Sequence, residues 1–347
     1  MTDPENRNEE LRDPAGNGDP SGTENASSGS GEAPAAGGES PVNASQSQGM
    51  FVQQPFLGPV LFGFVVLIVA FVAYQIFGGL ITYLLFGFGS DEQVQGMRAI
   101  TVVSQLLFLL VPSVILLKLQ PWKVKDVLRL HAPKVLPLLL VIVSVIALQF
   151  VVQSYMEAQQ YVLRNYLLPD ALLPLLDTFE DLIEELYGTL LAMNSFPEFI
   201  FVWVVVAVTP GICEEVLFRG TVQYSFERGM RLRWTFLLTG AIFSMFHLNP
   251  ITFIPLAALG VFFAVITWRG NSLYYAVVGH VTNNTLAVVA MYAFESDSLL
   301  PAEGAEAVPS AAVLAISGVI GLLVFIASLA MFWSLTRPTD TRNEYVS

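Results

Sequence analysis

Ionisable and amide side chains interrupt three apolar segments in the second half of this sequence. They are Glu214, Glu215 and Arg219 in one segment, His247 with Phe243 before it in the next, and His280 and Asn284 in a third. Within each segment two of the named residues are four residues apart and share a helix face. Such groups are costly at bilayer depth unless they are paired or used in chemistry. Together they offer a candidate general base, imidazole rings and amide groups, which are side chains that can take part in acid–base chemistry.

Helix geometry separates the two adjacent glutamates. Glu215 and Arg219 are four residues apart, so they lie on one face in the favourable order for a salt bridge. Glu214 is rotated by about 100° and is left as the candidate general base. Pro210 removes a backbone hydrogen bond, which we expect to open the carbonyl of Ala207 or its neighbour and to help water enter.

The histidines are expected to converge with this carboxylate. His280 and Asn284 share one face of their helix, although Asn283 is close enough that the spacing does not decide between the two amides. His247 comes just before a strong helix breaker at Asn249-Pro250. A rise of about 1.5 Å per residue places the three ionisable groups in the middle third of a membrane.

The composition identifies the elements that must hold these groups. Of the 347 residues, 54% are apolar and 13% charged, about half the charge of a soluble domain. The mean hydropathy is +0.60. We predict an all-α polytopic membrane helix bundle of about eight transmembrane helices. The spans are placed near 57–88, 97–117, 136–154, 198–220, 234–248, 251–268, 271–293 and 310–335.

Basic residues set the expected orientation. They follow the second, fourth, sixth and eighth spans, whereas the alternate loops are acidic. The positive-inside rule then predicts that both termini are cytoplasmic, in a protein of the plasma membrane. Splitting the first apolar block at Gly78-Gly79 would invert this pattern, so we predict one span there.

The remaining charge lies mainly outside the spans. Residues 1–50 carry nine of the 29 acidic residues and two of the 16 basic ones, a local charge of −7 within a total of −13. With few large apolar side chains, this stretch is predicted to be a disordered acidic tail. It has no signal-peptide pattern. The acidity argues against a nucleic-acid partner.

We divide the chain into five regions. They are a tail at 1–50, N-terminal transmembrane helices at 51–154, an amphipathic outer segment at 155–195, a core at 196–295, and an outer loop, last span and short cytoplasmic tail at 296–347. In the outer segment acids recur at helical spacing between leucines, which predicts an amphipathic helix that lies on the outer membrane face or caps the bundle. A plain solvated face is favoured over a gate for the substrate.

The three motifs, in this order on separate hydrophobic segments, resemble a known family. Glu214-Glu215 with Arg219 fits EExxxR, Phe243 with His247 fits FxxxH, and His280 with Asn284 fits HxxxN. Each is weak alone, but the set resembles the CPBP family of CAAX prenyl endopeptidases and their prokaryotic (Abi) relatives. The resemblance covers roughly residues 196–295.

The resemblance implies an intramembrane endopeptidase. Glu214 would activate water with help from His247, and His280 and Asn284 would stabilise the oxyanion. Glu215 and Arg219 would hold the site together. In a second form of the mechanism, Glu214, His247 and His280 bind a divalent metal such as Zn²⁺. The chain has no HExxH sequence, so we favour the metal-free form slightly.

Implied partners are membrane lipid and a peptide or protein substrate. A prenylated terminus, a bacteriocin-like peptide and a signalling protein all remain open as substrates.

Three other interpretations of the polar residues remain. They are structural glue between helices, a protease that uses the single cysteine, Cys213, and a non-enzymatic membrane protein. The last would be a transporter or a bacteriocin-immunity-type binding partner. Cys213 points about 100° away from Glu214 and is more simply explained by packing. No internal repeat or matching pair of broken helices supports a transporter.

Overall fold

The computed structural model describes residues 56–87, 93–295 and 310–338, and the regular structure within these ranges is helical. We number nine helices along the described chain. They are α1 (Pro59–Phe86), α2 (Val94–Leu119), α3 (Val135–Leu167), α4 (Leu173–Leu191), α5 (Phe196–Gly229), α6 (Leu232–Phe246), α7 (Phe253–Gly270), α8 (Leu273–Glu295) and α9 (Ala311–Leu335). A four-residue helix, Val124–Val127, lies between α2 and α3.

The all-helical membrane fold predicted from composition is confirmed. Within the described ranges six helices, α1, α2, α3, α5, α7 and α9, are long and apolar enough to cross a membrane. Helix α6 is apolar but has 15 residues, and α8 has 23 and contains the polar HxxxN residues. Helices therefore occupy all eight predicted blocks, while the count of eight crossings and the side of each terminus stay predictions.

Two boundaries depend on where helix breakers occur. Helix α1 runs through Gly78 and Gly79 with helical dihedrals at both, so the first block is one continuous helix, as expected. Helix α3 continues to Leu167, beyond the predicted end at 154, because no proline or glycine interrupts it before Pro169. The amphipathic helix proper is α4. The predicted tail at 1–50 and the loop at 296–309 lie outside the described residues.

Helix α5 is the centre of the bundle. In its most apolar stretch 56% of residues are buried, against 28% in each of α1, α2 and α3 and 11% in α9. It packs against α1, α2, α6, α7 and α8, whereas α9 lies along α3 at the periphery. Groups carried by α5 are thus the ones that neighbouring helices can surround.

Loops rich in basic residues meet at one end of the bundle. Arg129 forms an ion pair with Glu227, and the Ser272 hydroxyl donates to the His131 carbonyl at 2.6 Å. The rings of Trp268 and Trp333 lie 6.2 Å apart in the same region. This clustering agrees with the charge pattern, although the face of the membrane on which it lies stays a prediction.

Two glycines let α6 and α7 approach closely. A Cβ atom on Gly260 would lie 2.8 Å from the Gly240 Cα and 3.1 Å from its carbonyl oxygen, which are backbone atoms that cannot rotate away. The Gly260 carbonyl in turn accepts a hydrogen bond from Arg219 at 3.1 Å. The close crossing therefore also positions an acceptor for a buried cation.

We expect Gly260→Ala to destabilise the protein by about 1–3 kcal/mol, because the added methyl group forces α6 and α7 apart. Thermal unfolding in detergent measures the loss. Gly79→Ala is the matched control, since its Cβ would meet no atom within 4 Å. Equal melting temperatures for the two variants would contradict the packing argument.

Candidate active site

A cavity of about 620 Å³ lies inside the helix bundle. Four of the predicted site residues line it: Glu214 from α5, His247 at the end of α6, and His280 and Asn284 from α8. The tertiary structure thus brings these side chains from three helices to one space. The other two predicted residues, Glu215 and Arg219, lie behind the cavity wall and are fully buried.

Glu215 and Arg219 form the salt bridge predicted from their spacing. Arg219 Nη1 donates to Glu215 Oε1 at 2.8 Å, and Nη2 donates to the Gly260 carbonyl at 3.1 Å. His280 Nδ1 contacts the same Glu215 oxygen at 2.8 Å. Because a carboxylate accepts, the proton lies on Nδ1, and the ring is held with Nε2 towards Glu214.

Glu214 is placed differently from its neighbour. Its Oε2 atom lies 4.0 Å from His280 Nε2, too far for a direct hydrogen bond. This oxygen is shielded and has no hydrogen-bond partner in the part of the chain that the structure describes. The rotation of about 100° between the two acids therefore leaves one carboxylate in a structural network and the other facing the cavity.

Phe243, the aromatic residue of the FxxxH motif, packs its ring among three groups of the site. Its ring centroid lies 4.4 Å from the Arg219 guanidinium carbon, 4.9 Å from the His247 ring and 5.8 Å from the His280 ring. Phe263 stacks on His280 from another side at 5.8 Å. The two phenyl rings shield the buried cation and limit rotation of the imidazole.

His247 is fixed by the end of its helix. Its Nδ1 lies 2.9 Å from the Phe243 carbonyl, which can only accept, so Nδ1 carries a proton and Nε2 of the neutral ring keeps a lone pair. Gln75 of α1 donates to the Phe246 carbonyl at 2.5 Å. The chain turns next, where the breaker at Asn249-Pro250 was predicted.

Pro210 leaves a backbone carbonyl of α5 without its helical hydrogen-bond donor. In a regular helix the Val206 carbonyl would accept from residue 210, but proline has no N–H. Asn284 Nδ2 donates to Val206 at 2.8 Å instead, and Asn283 donates to Asn284 Oδ1 at 3.0 Å. The carbonyl that Pro210 leaves free is thus that of Val206, the neighbour of Ala207. Asn284 is the amide that lines the cavity, and its Nδ2 has a second hydrogen to donate.

Helix α4 covers the cavity, which agrees with the second of the two positions expected from the amphipathic pattern, that of a helix capping the bundle. Ile183, Tyr187 and Leu190 line it, so this face of α4 packs over the site, while Asp177 and Glu180 pair with Arg164 of α3. Arg98 of α2 donates to the carbonyls of Leu190 and Ala192 and ties down the end of α4. The expectation of a plain solvated face accounts for only one side of this helix.

The phenol of Tyr187 borders Glu214. About half of this side chain is exposed and the rest lies in the cavity wall. Burial, and to a lesser extent the charge of Glu214, raises the pKa of Tyr187 above its ordinary value. Tyr187 therefore remains a neutral phenol at physiological pH.

Sequence reasoning also missed the wall formed by α1 and α2. Tyr74, Gln75 and Gln105 line the cavity from these helices. Polar side chains in otherwise apolar spans were the available signal, but no motif singled them out.

Two alternatives receive little support from this geometry. Cys213 is fully buried in the apolar cluster around Leu217 and Phe218 and is not among the residues that line the cavity. Over the described ranges, no three His, Cys, Asp or Glu side chains are grouped closely enough to hold a metal ion. The predicted set of Glu214, His247 and His280 does not fit a metal in this arrangement, and we derive no step through one.

The fold and the cavity define a class: a multi-pass helical membrane protein with carboxylate and imidazole groups in a cavity inside its bundle. Residues 196–286 match the family described as type II CAAX prenyl endopeptidase Rce1-like. The match includes all six predicted site residues and confirms the resemblance indicated by the motifs. It supports a CAAX-type intramembrane endopeptidase in general. No curated protein and no solved structure matches the chain.

We expect Arg219→Met to destabilise the fold by about 3–5 kcal/mol, because it leaves the buried Glu215 carboxylate without its cation. Arg164→Met is the matched control: Arg164 pairs with Asp177 and Glu180 at the surface, where water replaces the lost contact. Thermal unfolding in detergent compares the two. Similar losses would contradict a special role for the buried pair.

Proposed function

We propose that the protein hydrolyses a peptide bond of a membrane-associated peptide or protein, with Glu214 and His247 activating water and His280 and Asn284 stabilising the oxyanion. The cavity supports this proposal, because these four side chains line it from three helices. The match to CAAX prenyl endopeptidases gives the reaction class.

The first step uses Oε2 of Glu214, the oxygen that has no hydrogen-bond partner among the described residues. This atom accepts a proton from a water molecule held in the cavity, while the Nε2 lone pair of His247 helps to orient that water. The resulting hydroxide forms a bond to the carbonyl carbon of the substrate. The carbonyl electron pair moves to its oxygen and creates an oxyanion.

The oxyanion is stabilised from α8. With Nδ1 donating to the Glu215 carboxylate, the proposal needs a second proton on Nε2 of His280, which donates into the cavity, and the second Nδ2 hydrogen of Asn284 gives another donor. When the C–N bond breaks, the proton held by Glu214 passes to the leaving amine. The products are a carboxylic acid and an amine, and Glu214 is regenerated.

Removing the base tests this proposal directly. In proteoliposomes, wild type and Glu214→Ala are given a quenched-fluorescence peptide that ends in a CAAX sequence, with and without a farnesyl group. We expect Glu214→Ala to lower the cleavage rate by about 10²–10⁴-fold. Asp181→Asn, on the outer face of α4, is the matched control and keeps the wild-type rate.

Further conditions separate the alternatives. Cleavage by Glu214→Ala at the wild-type rate contradicts the proposed base. Loss of wild-type activity with a chelator, and its return with Zn²⁺, supports the metal form. No cleavage of either peptide by wild type favours the non-enzymatic transporter or binding partner.

Cys213→Ser is expected to keep at least half of the wild-type rate, because Cys213 is buried away from the cavity. The same peptide assay measures it, with Glu214→Ala as the inactive reference. A loss as large as that of Glu214→Ala would favour the cysteine mechanism.

A further inference from the structure

Gln105 of α2 lines the catalytic cavity and has a buried amide oxygen. The side chain is 5% exposed and lines the cavity with Tyr74. Its Oε1 atom has no hydrogen-bond partner among the described residues. Leaving a buried acceptor unpaired is unfavourable, so a ligand that brings a donor to this point would be favoured.

A peptide inside a membrane has the complementary need. An extended chain cannot bond its own N–H and C=O groups, and no bulk water serves them at this depth. The walls of the cavity must therefore supply partners for the substrate backbone. An amide oxygen can accept a backbone N–H without introducing a charge.

The space beside Gln105 has the form that such a chain requires. A second cavity of about 250 Å³ lies between α1 and α2 and shares Tyr74, Gln75 and Thr101 with the catalytic cavity. Gly79 and Thr82 are among the residues that line it, and none of its lining residues is charged. The two cavities are therefore neighbours, and the second one extends along the first two helices with an uncharged lining.

We propose that Gln105 binds the substrate, with Oε1 accepting one backbone N–H of the peptide close to the scissile bond, and that the cavity between α1 and α2 holds the adjoining uncharged segment. This inference rests on the proposed function and names the element that recognises the substrate backbone. Gln105 lies outside the matched residues 196–286. Gln105 would act by direct contact with the substrate.

A second glutamine, Gln120, also has a buried, unpaired amide oxygen but lines neither cavity. The proposal for Gln105 therefore depends on its position at the cavity and not on the unpaired oxygen alone. Gln120 is 6% exposed, donates from Nε2 to the Leu57 carbonyl at 3.1 Å, and also has an unpaired Oε1. It is not among the residues that line the catalytic cavity or the adjoining one. Gln120→Leu is therefore a matched control for Gln105→Leu, with the same change in chemistry and burial.

Binding to an inactive background tests the proposal separately from cleavage. The full-length Glu214→Ala protein in nanodiscs is titrated with the fluorescent farnesylated CAAX peptide, followed by anisotropy. We expect Gln105→Leu in this background to raise Kd about tenfold and Gln120→Leu to leave it unchanged.

Peptides in which one backbone N–H at a time is replaced by an ester oxygen locate the contact. One ester position should weaken binding about tenfold when Gln105 is present and have no further effect in Gln105→Leu. This series uses protein with the native glutamine and therefore does not depend on how well the variant folds.

The outcomes separate the two proposals. If wild type cleaves the peptide but every ester effect adds to that of Gln105→Leu, the role of Gln105 is overturned and the proposed function stands. If binding depends on Gln105 but wild type does not cleave, Gln105 binds the peptide backbone, while the proposed function and the placement beside a scissile bond both fail. Absence of binding to Glu214→Ala overturns the inference.

Discussion

The Glu215 carboxylate holds the site together by binding two groups at one oxygen. Arg219 neutralises its charge from the same helix, and His280 reaches it from α8. A buried ion pair that loses one partner is strongly unfavourable, so the three side chains must stay together. Since Arg219 also binds the Gly260 carbonyl of α7, this one carboxylate fixes α5, α7 and α8 relative to each other.

The orientation of the cavity groups follows from that constraint. With Nδ1 of His280 engaged by Glu215, Nε2 is directed towards Glu214, the acid on the next face of α5. Asn284 is held in a similar way. Pro210 leaves the Val206 carbonyl without its helical partner, and Asn284 Nδ2 donates to it. In each case a structural hydrogen bond uses one position of the side chain and leaves another for the cavity.

A second wall of the cavity is formed by helices that lie outside the matched residues 196–286. Helices α1 and α2 contribute Tyr74 and Gln105, and α4 closes the space with Tyr187. These helices carry no family motif, yet they form the cavity wall beside the candidate catalytic groups. Substrate recognition is therefore proposed for one set of elements, α1 and α2, and the chemistry for another, α5, α6 and α8.

Sequence alone was enough for the membrane fold, the Glu215–Arg219 pair and the three motifs, because hydropathy and helical spacing are local properties. The first apolar block and the break after His247 were predictable for the same reason. The end of α3, the choice of Asn284 over Asn283 and the presence of Gln105 were not, and the sequence did not decide whether α4 lies on the membrane or over the bundle. These depend on which helix faces pack together, and contacts between residues far apart in sequence leave no trace in the spacing of either helix.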